Sequence, residues 1–95
     1  MMPTEKYVLR LYVTGLTPRS TRAIKHVRAV CEEHLAGHYD LEVIDVYQTP
    51  ARSLEDQIVA IPTLVKCTPA PVRLMVGDMS DRDRLLAGLG LPADD

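Results

Sequence analysis

The side chains best suited to chemistry in this 95-residue chain are two cysteines, three histidines and several neighbouring acids. Cys31, His34 and His38 fall at i, i+3 and i+7, a spacing that could set soft zinc ligands along one side of a helix. Gly37 would end that helix before His38, Cys31 lies on its apolar stripe, and no fourth ligand is local. The expectation is therefore partly exposed histidines near a helix C-terminus and no metal site. His26 belongs to the polar side of the same segment. Cys31 and Cys67 make no CxxC, which fits two structural thiols in a reducing compartment. The acidic pairs Glu32-Glu33 and Glu55-Asp56 diverge around a helix, and Asp81 with Asp83 suits the positive end of a first turn. Gly-rich phosphate loops, a nucleophile elbow and HExxH are all missing. The chain is expected to be no enzyme and to need no cofactor.

Composition narrows the partners. Eleven Lys and Arg against thirteen Asp and Glu leave a net charge of −2, which points away from nucleic acid. With neither Phe nor Trp, the core must be aliphatic, and the four tyrosines are the only large rings. No apolar run approaches the roughly eighteen residues of a membrane helix, so a soluble, cytoplasmic protein is expected, folded as one domain over residues 1–95.

The elements that must position these groups follow from periodicity. Tyr7 to Val13 alternates and stops at Thr14-Gly15, a first strand. Thr17-Pro18 reads as N-cap and first helical residue, and Ile24, Val27, Cys31 and Leu35 form one apolar stripe down a helix ending at Gly37. Asp40 to Val46 is a second strand, with Leu41, Val43 and Ile44 as its packing residues; the helical crossover makes it parallel to the first. Thr49-Pro50 can cap a short helix running to Ile58, whereas Ile58 to Cys67 favours strand but is broken by Pro62. Val72 to Val76 is a short strand and Gly77-Asp78 a turn. Ser80 and Asp83 make a capping box for a last helix with Leu85, Leu86 and Leu89 on its apolar face, weakened by Gly88 and Gly90. The order βαβαββα is that of a thioredoxin-like α/β domain. Ile61-Pro62-Thr63 resembles the loop that carries the cis-proline of thioredoxins, but Leu16-Thr17-Pro18-Arg19-Ser20 stands where they place CxxC and offers no thiol.

Tyr7-Val-Leu-Arg-Leu-Tyr-Val-Thr-Gly-Leu-Thr-Pro18, Val43-Ile-Asp-Val46, Ala60-Ile-Pro-Thr-Leu64, Pro69-Ala-Pro-Val-Arg73, Gly77-Asp-Met-Ser80 and Leu86-Ala-Gly-Leu89 together resemble the KaiB family of circadian-clock proteins, from about Tyr7 to Leu91. The resemblance implies a non-enzymatic partner of the KaiC ATPase and kinase. It also implies two accessible folds: a βαββααβ ground state, often tetrameric, and a monomeric thioredoxin-like state that binds the N-terminal ATPase ring of KaiC. The expected dominant state here is the thioredoxin-like monomer. Two such packings would be selected by whichever partner binds one of them.

On this resemblance the KaiC contact falls on Gln48, Pro50, Arg52, Glu55 and Asp56, with Leu54 and Ile58 expected to be buried beneath them. Pro62, Pro69 and Pro71 are candidates for the slow step of a fold switch, since X-Pro bonds isomerise over roughly tens of seconds or more. Gly88 and Gly90 are candidates for setting its balance, because the best-known members carry Gly-Leu-Asp-Leu where this chain has Gly88-Leu89-Gly90-Leu91. Asp40 and Glu42 replace small and basic residues on the strand edge where the family docks KaiA, which counts against a KaiA partner. The competing functions are a thioredoxin-like redox protein, opposed by the missing CxxC, and a free-standing KaiB-like sensory domain in stress response.

Overall fold

The computed structural model describes residues 6–15, 17–55, 58 and 61–92, apart from the side chains of Ser53 and Glu55. Seven elements follow in the order β1 (Tyr7–Val13), α1 (Pro18–Leu35), β2 (Tyr39–Asp45), α2 (Pro50–Glu55), β3 (Thr63–Thr68), β4 (Arg73–Val76) and α3 (Arg82–Leu89). The strands form one sheet in the order β2-β1-β3-β4. β2 runs parallel to β1 after the α1 crossover, whereas β3 pairs antiparallel with β1, and β4 antiparallel with β3. This is the expected βαβαββα arrangement.

Alternation along β1 explains why it lies inside the sheet. Leu9, Leu11 and Val13 point to one face and join Val27, Val30, Cys31 and Leu35 of α1 and Leu85, Leu86 and Leu89 of α3 in the main core. Tyr12 points to the other face and packs with Ile44 and Val65, against which Val46, Ile58, Ile61 and Cys67 lean. Two faces of one strand thus serve two cores. The α1 stripe is centred slightly differently from the expected one. Ser20, Ala23 and Val30 are buried with Val27, Cys31 and Leu35, while Ile24 is only half-buried. Ser20 tolerates burial because its hydroxyl accepts from the Thr14 amide at 3.1 Å.

Element ends follow local chemistry with one correction. Thr17 caps α1 by accepting from the Ser20 amide, Pro18 opens the helix, and Gly37 takes φ of 78° just past its end. At α3 the expected Ser80/Asp83 box is not the cap. Asp81 caps instead, its carboxylate accepting from the Arg84 amide at 3.1 Å, and its acceptor is the better one beside a helix N-terminus. Gly90 ends α3 in the left-handed conformation, donating to the carbonyls of Ala87 and Leu86. Gly88, inside α3, lies where a Cβ would meet the Sδ and Cγ of Met75 on β4. The Ile61–Pro62, Thr68–Pro69 and Ala70–Pro71 bonds are cis.

Long-range ties among the described residues close the domain. The buried Tyr7 hydroxyl donates to the Leu89 carbonyl at 2.8 Å, fastening α3 to the start of β1. Arg22 on α1 pairs with Asp78 at 3.3 Å, and the His26 ring hydrogen-bonds the Asp78 carbonyl at 2.9 Å, holding the β4–α3 turn against α1. Arg82 pairs with Glu33. No described helix is long and apolar enough to cross a membrane.

Candidate functional site

On the sheet face opposite α1 and α3, the β1–β2 side carries α2, a single helical turn and a half. A six-residue helix has no stability of its own and must be held by what it packs on. Two ties do this. The Tyr12 hydroxyl, fully buried, donates to the Arg52 carbonyl at 3.0 Å. The Arg52 guanidinium grips Glu42 of β2 through both nitrogens, at 3.0 and 2.7 Å. That fork holds the Glu42 carboxyl below the ordinary carboxylate value. Ahead of the helix, Asp45 organises the turn: its carboxylate accepts from the Tyr47 amide, and its carbonyl accepts from the Gln48 and Thr49 amides and the Thr49 hydroxyl.

The anticipated inside and outside of this segment are partly reversed. Leu54, expected in the core, is 78% exposed. Ile58, expected as the buried last residue of this helix, is half-buried against the cluster of Tyr12, Ile44 and Val65 but lies beyond α2, which ends at Glu55. Arg52, expected outward, is half-buried and committed to Glu42. Gln48 and Pro50 are exposed as anticipated. Asp56 and the side chain of Glu55 lie outside the described residues. Tyr47, which the sequence did not single out, is 80% exposed at the start of the segment. Two large apolar side chains therefore stand in water on and beside one short element.

Neither thiol is placed for redox work. Cys31 is buried in the main core, where loss of solvation pushes its thiol up to about 12, so it stays protonated at neutral pH. Cys67 leans on the second cluster across the sheet, and no disulfide joins them. At the head of α1, where a thioredoxin keeps its nucleophile, the hydroxyls of Thr17 and Ser20 accept from the Ser20 and Thr14 amides. Among the described residues no group of three or more His, Cys, Asp or Glu could hold a metal ion. His26 is engaged by the Asp78 carbonyl, a contact invisible to spacing rules across that separation.

The KaiB domain model matches residues 10–91. The chain belongs to the KaiB family. It is 50% identical over 95 residues to the circadian clock oscillator protein KaiB of Prochlorococcus marinus (strain MIT 9303), covering 100% of this chain and 80% of that one. The same identity and coverage of this chain hold for the KaiB of Parasynechococcus marenigrum (strain WH8102), with 91% of the relative covered. The N-terminal domain of Synechococcus elongatus SasA superposes with a TM-score of 0.73 at 23% identity, covering 100% of this chain and 93% of that domain. Mitochondrial thioredoxin 3 of Saccharomyces cerevisiae gives 0.73 at 14% identity over 92% of this chain and 79% of its own. At those identities the two likenesses speak for the fold: this KaiB-family chain has a thioredoxin-like architecture.

Proposed function

We propose that this KaiB-family chain is a non-catalytic clock-type regulator. In its thioredoxin-like arrangement it docks on the N-terminal ATPase ring of a KaiC-type ATPase through α2 and the turn before it. The supporting observation is the exposure of Leu54 and Tyr47 beside Gln48 and Pro50, on an element fastened by two polar ties. Exposed aromatic and aliphatic anchors with a polar surround are the composition of a binding hot spot. Arg52 acts here as the brace that holds the segment to β2, while Leu54 and Tyr47 supply the contact.

Binding through this segment would also select a fold. In the family's alternative βαββααβ packing, α2 and everything after it would be rebuilt, so a partner that recognises Leu54 on a helix draws the population toward the thioredoxin-like state. If that state held about 1% of the free chain, the apparent affinity would be about 100-fold weaker than the intrinsic one. KaiA is left out of the proposed partners, since Asp40 and Glu42 make the β2 edge acidic. Calorimetric titration of the chain against the isolated ATPase ring of a KaiC tests the reading. Leu54→Glu should weaken binding at least about tenfold with a native-like spectrum retained, because an exposed substitution shifts stability by only about 0.5 kcal/mol. Unchanged affinity would move the interface elsewhere.

A further inference from the structure

We propose that the β4 edge and the face of α3 beside it form a second docking surface, which takes an extended acidic-apolar segment of a partner protein as an added strand. Among the described residues β4 is the last strand of the sheet and pairs only with β3, so its outward backbone groups face away from the sheet. Sheet edges are ordinarily defended by charge. The opposite edge is defended in that way: β2 carries Asp40 and Glu42, paired with Lys6 and Arg52. β4 is not. Val72, Leu74 and Val76, alternate residues on one face, are 61%, 50% and 57% exposed.

On its other face β4 borders a cavity of about 380 Å³ closed on the far side by α3. Arg84, Ala87 and Gly88 line it at helical spacing, and Met75 faces them from the strand. At Gly88 the Met75 side chain lies directly against the helix, where a Cβ would meet its Sδ and Cγ. The resulting groove between a strand edge and a helix is the geometry of strand-addition recognition.

Charge decides the occupant. Four charged side chains line the cavity: Arg73, Arg84, Asp78 and Asp81. Both carboxylates are already engaged by the chain itself, Asp78 by Arg22 and the Ser80 amide, Asp81 by the Arg84 amide. Arg73 and Arg84 are exposed, and among the described residues neither is paired with a carboxylate. A strand laid along β4 would turn every second side chain toward these two guanidinium groups and the intervening ones over Leu74 and Val76. Acid alternating with aliphatic satisfies both faces.

The test uses two fluorescein-labelled probes of about eight residues, one alternating Glu with Val and the other Lys with Val. Binding to the whole chain is followed by anisotropy, and amide shifts locate it. The Glu-Val probe should bind and shift the amides of 72–77 and 84–88, and the Lys-Val probe should not. Arg73→Glu with Arg84→Glu should weaken the Glu-Val probe at least about tenfold. Leu74→Glu, at an exposed position that leaves folding alone, should do the same by placing like charge on the edge. The proposal is overturned by equal binding of both probes, by shifts confined to β2 and α2, by absence of binding, or by β4 pairing with a second copy of the chain. KaiC binding through Leu54 has a separate readout and stands or falls independently.

Discussion

Single side chains here do structural work at long range. Cys31 is held protonated by its burial in the main core, so native protein should leave it unmodified by iodoacetamide at neutral pH while the more accessible Cys67 reacts. Mass spectrometry of the labelled chain checks this. Replacing Cys31 by Ser should lower stability by about 1–3 kcal/mol, since the new hydroxyl would need a partner in an apolar site. KaiC binding by folded Cys31→Ser/Cys67→Ser protein should be unchanged; its loss would revive a redox role. The Arg52–Glu42 fork gives a pH signature. Glu42 has a folded value below its ordinary 4.5, so its contribution is complete above about that pH and fades as the pH falls through the depressed value. Asp78, lowered chiefly by hydrogen bonds from Ser80 and then by Arg22, has the same sign. Glu42→Gln should flatten the acid limb of the stability profile, and a double-mutant cycle with Arg52→Gln should return about 0.2–1 kcal/mol for this partly exposed pair.

At the scale of elements, the glycine within α3 and the one that ends it differ in what a side chain would cost. Gly88→Ala should change stability by less than about 1 kcal/mol in urea melts, because a Cβ there displaces only the flexible end of the half-buried Met75 side chain while the helix gains about 1 kcal/mol from losing glycine. Gly90→Ala should cost about 1–2 kcal/mol through its left-handed φ of 72°. The elements themselves were largely legible in the sequence. β1 and α1 announced their bounds through alternation, Thr17-Pro18 and Gly37, each a local signal. At the start of α3 the Ser80/Asp83 spacing points one residue too early, because Asp81 caps alone through its carboxylate, without a box partner at Arg84. The exposure of Leu54 depends on how the Tyr12 and Arg52 ties set α2 on the sheet, which no local pattern encodes. The ties Tyr7 to Leu89, His26 to Asp78 and Arg52 to Glu42 join residues that only the fold brings together.

For the whole molecule, the sheet separates two unequal bodies. One face packs α1 and α3 into a core reaching from Tyr7 to Leu89, whereas the other supports only the short α2 and a smaller cluster. In the proposed reading a change of fold would rebuild α2 and everything after it, including α3 of the larger body, while Leu54 and Tyr47 stand exposed on the α2 side. Partner docking and fold selection would then draw on the same segment. The most direct measurement is the backbone chemical shifts of isotope-labelled chain, alone and bound to the ATPase ring of a KaiC. Docking through α2 predicts helical shifts for Pro50–Glu55 and strand shifts for Arg73–Val76 in the complex, with the largest perturbations at Tyr47 and Leu54. Strand shifts over Leu54 to Ile58 in the bound chain, or a complex that leaves Tyr47 and Leu54 unperturbed, would contradict it.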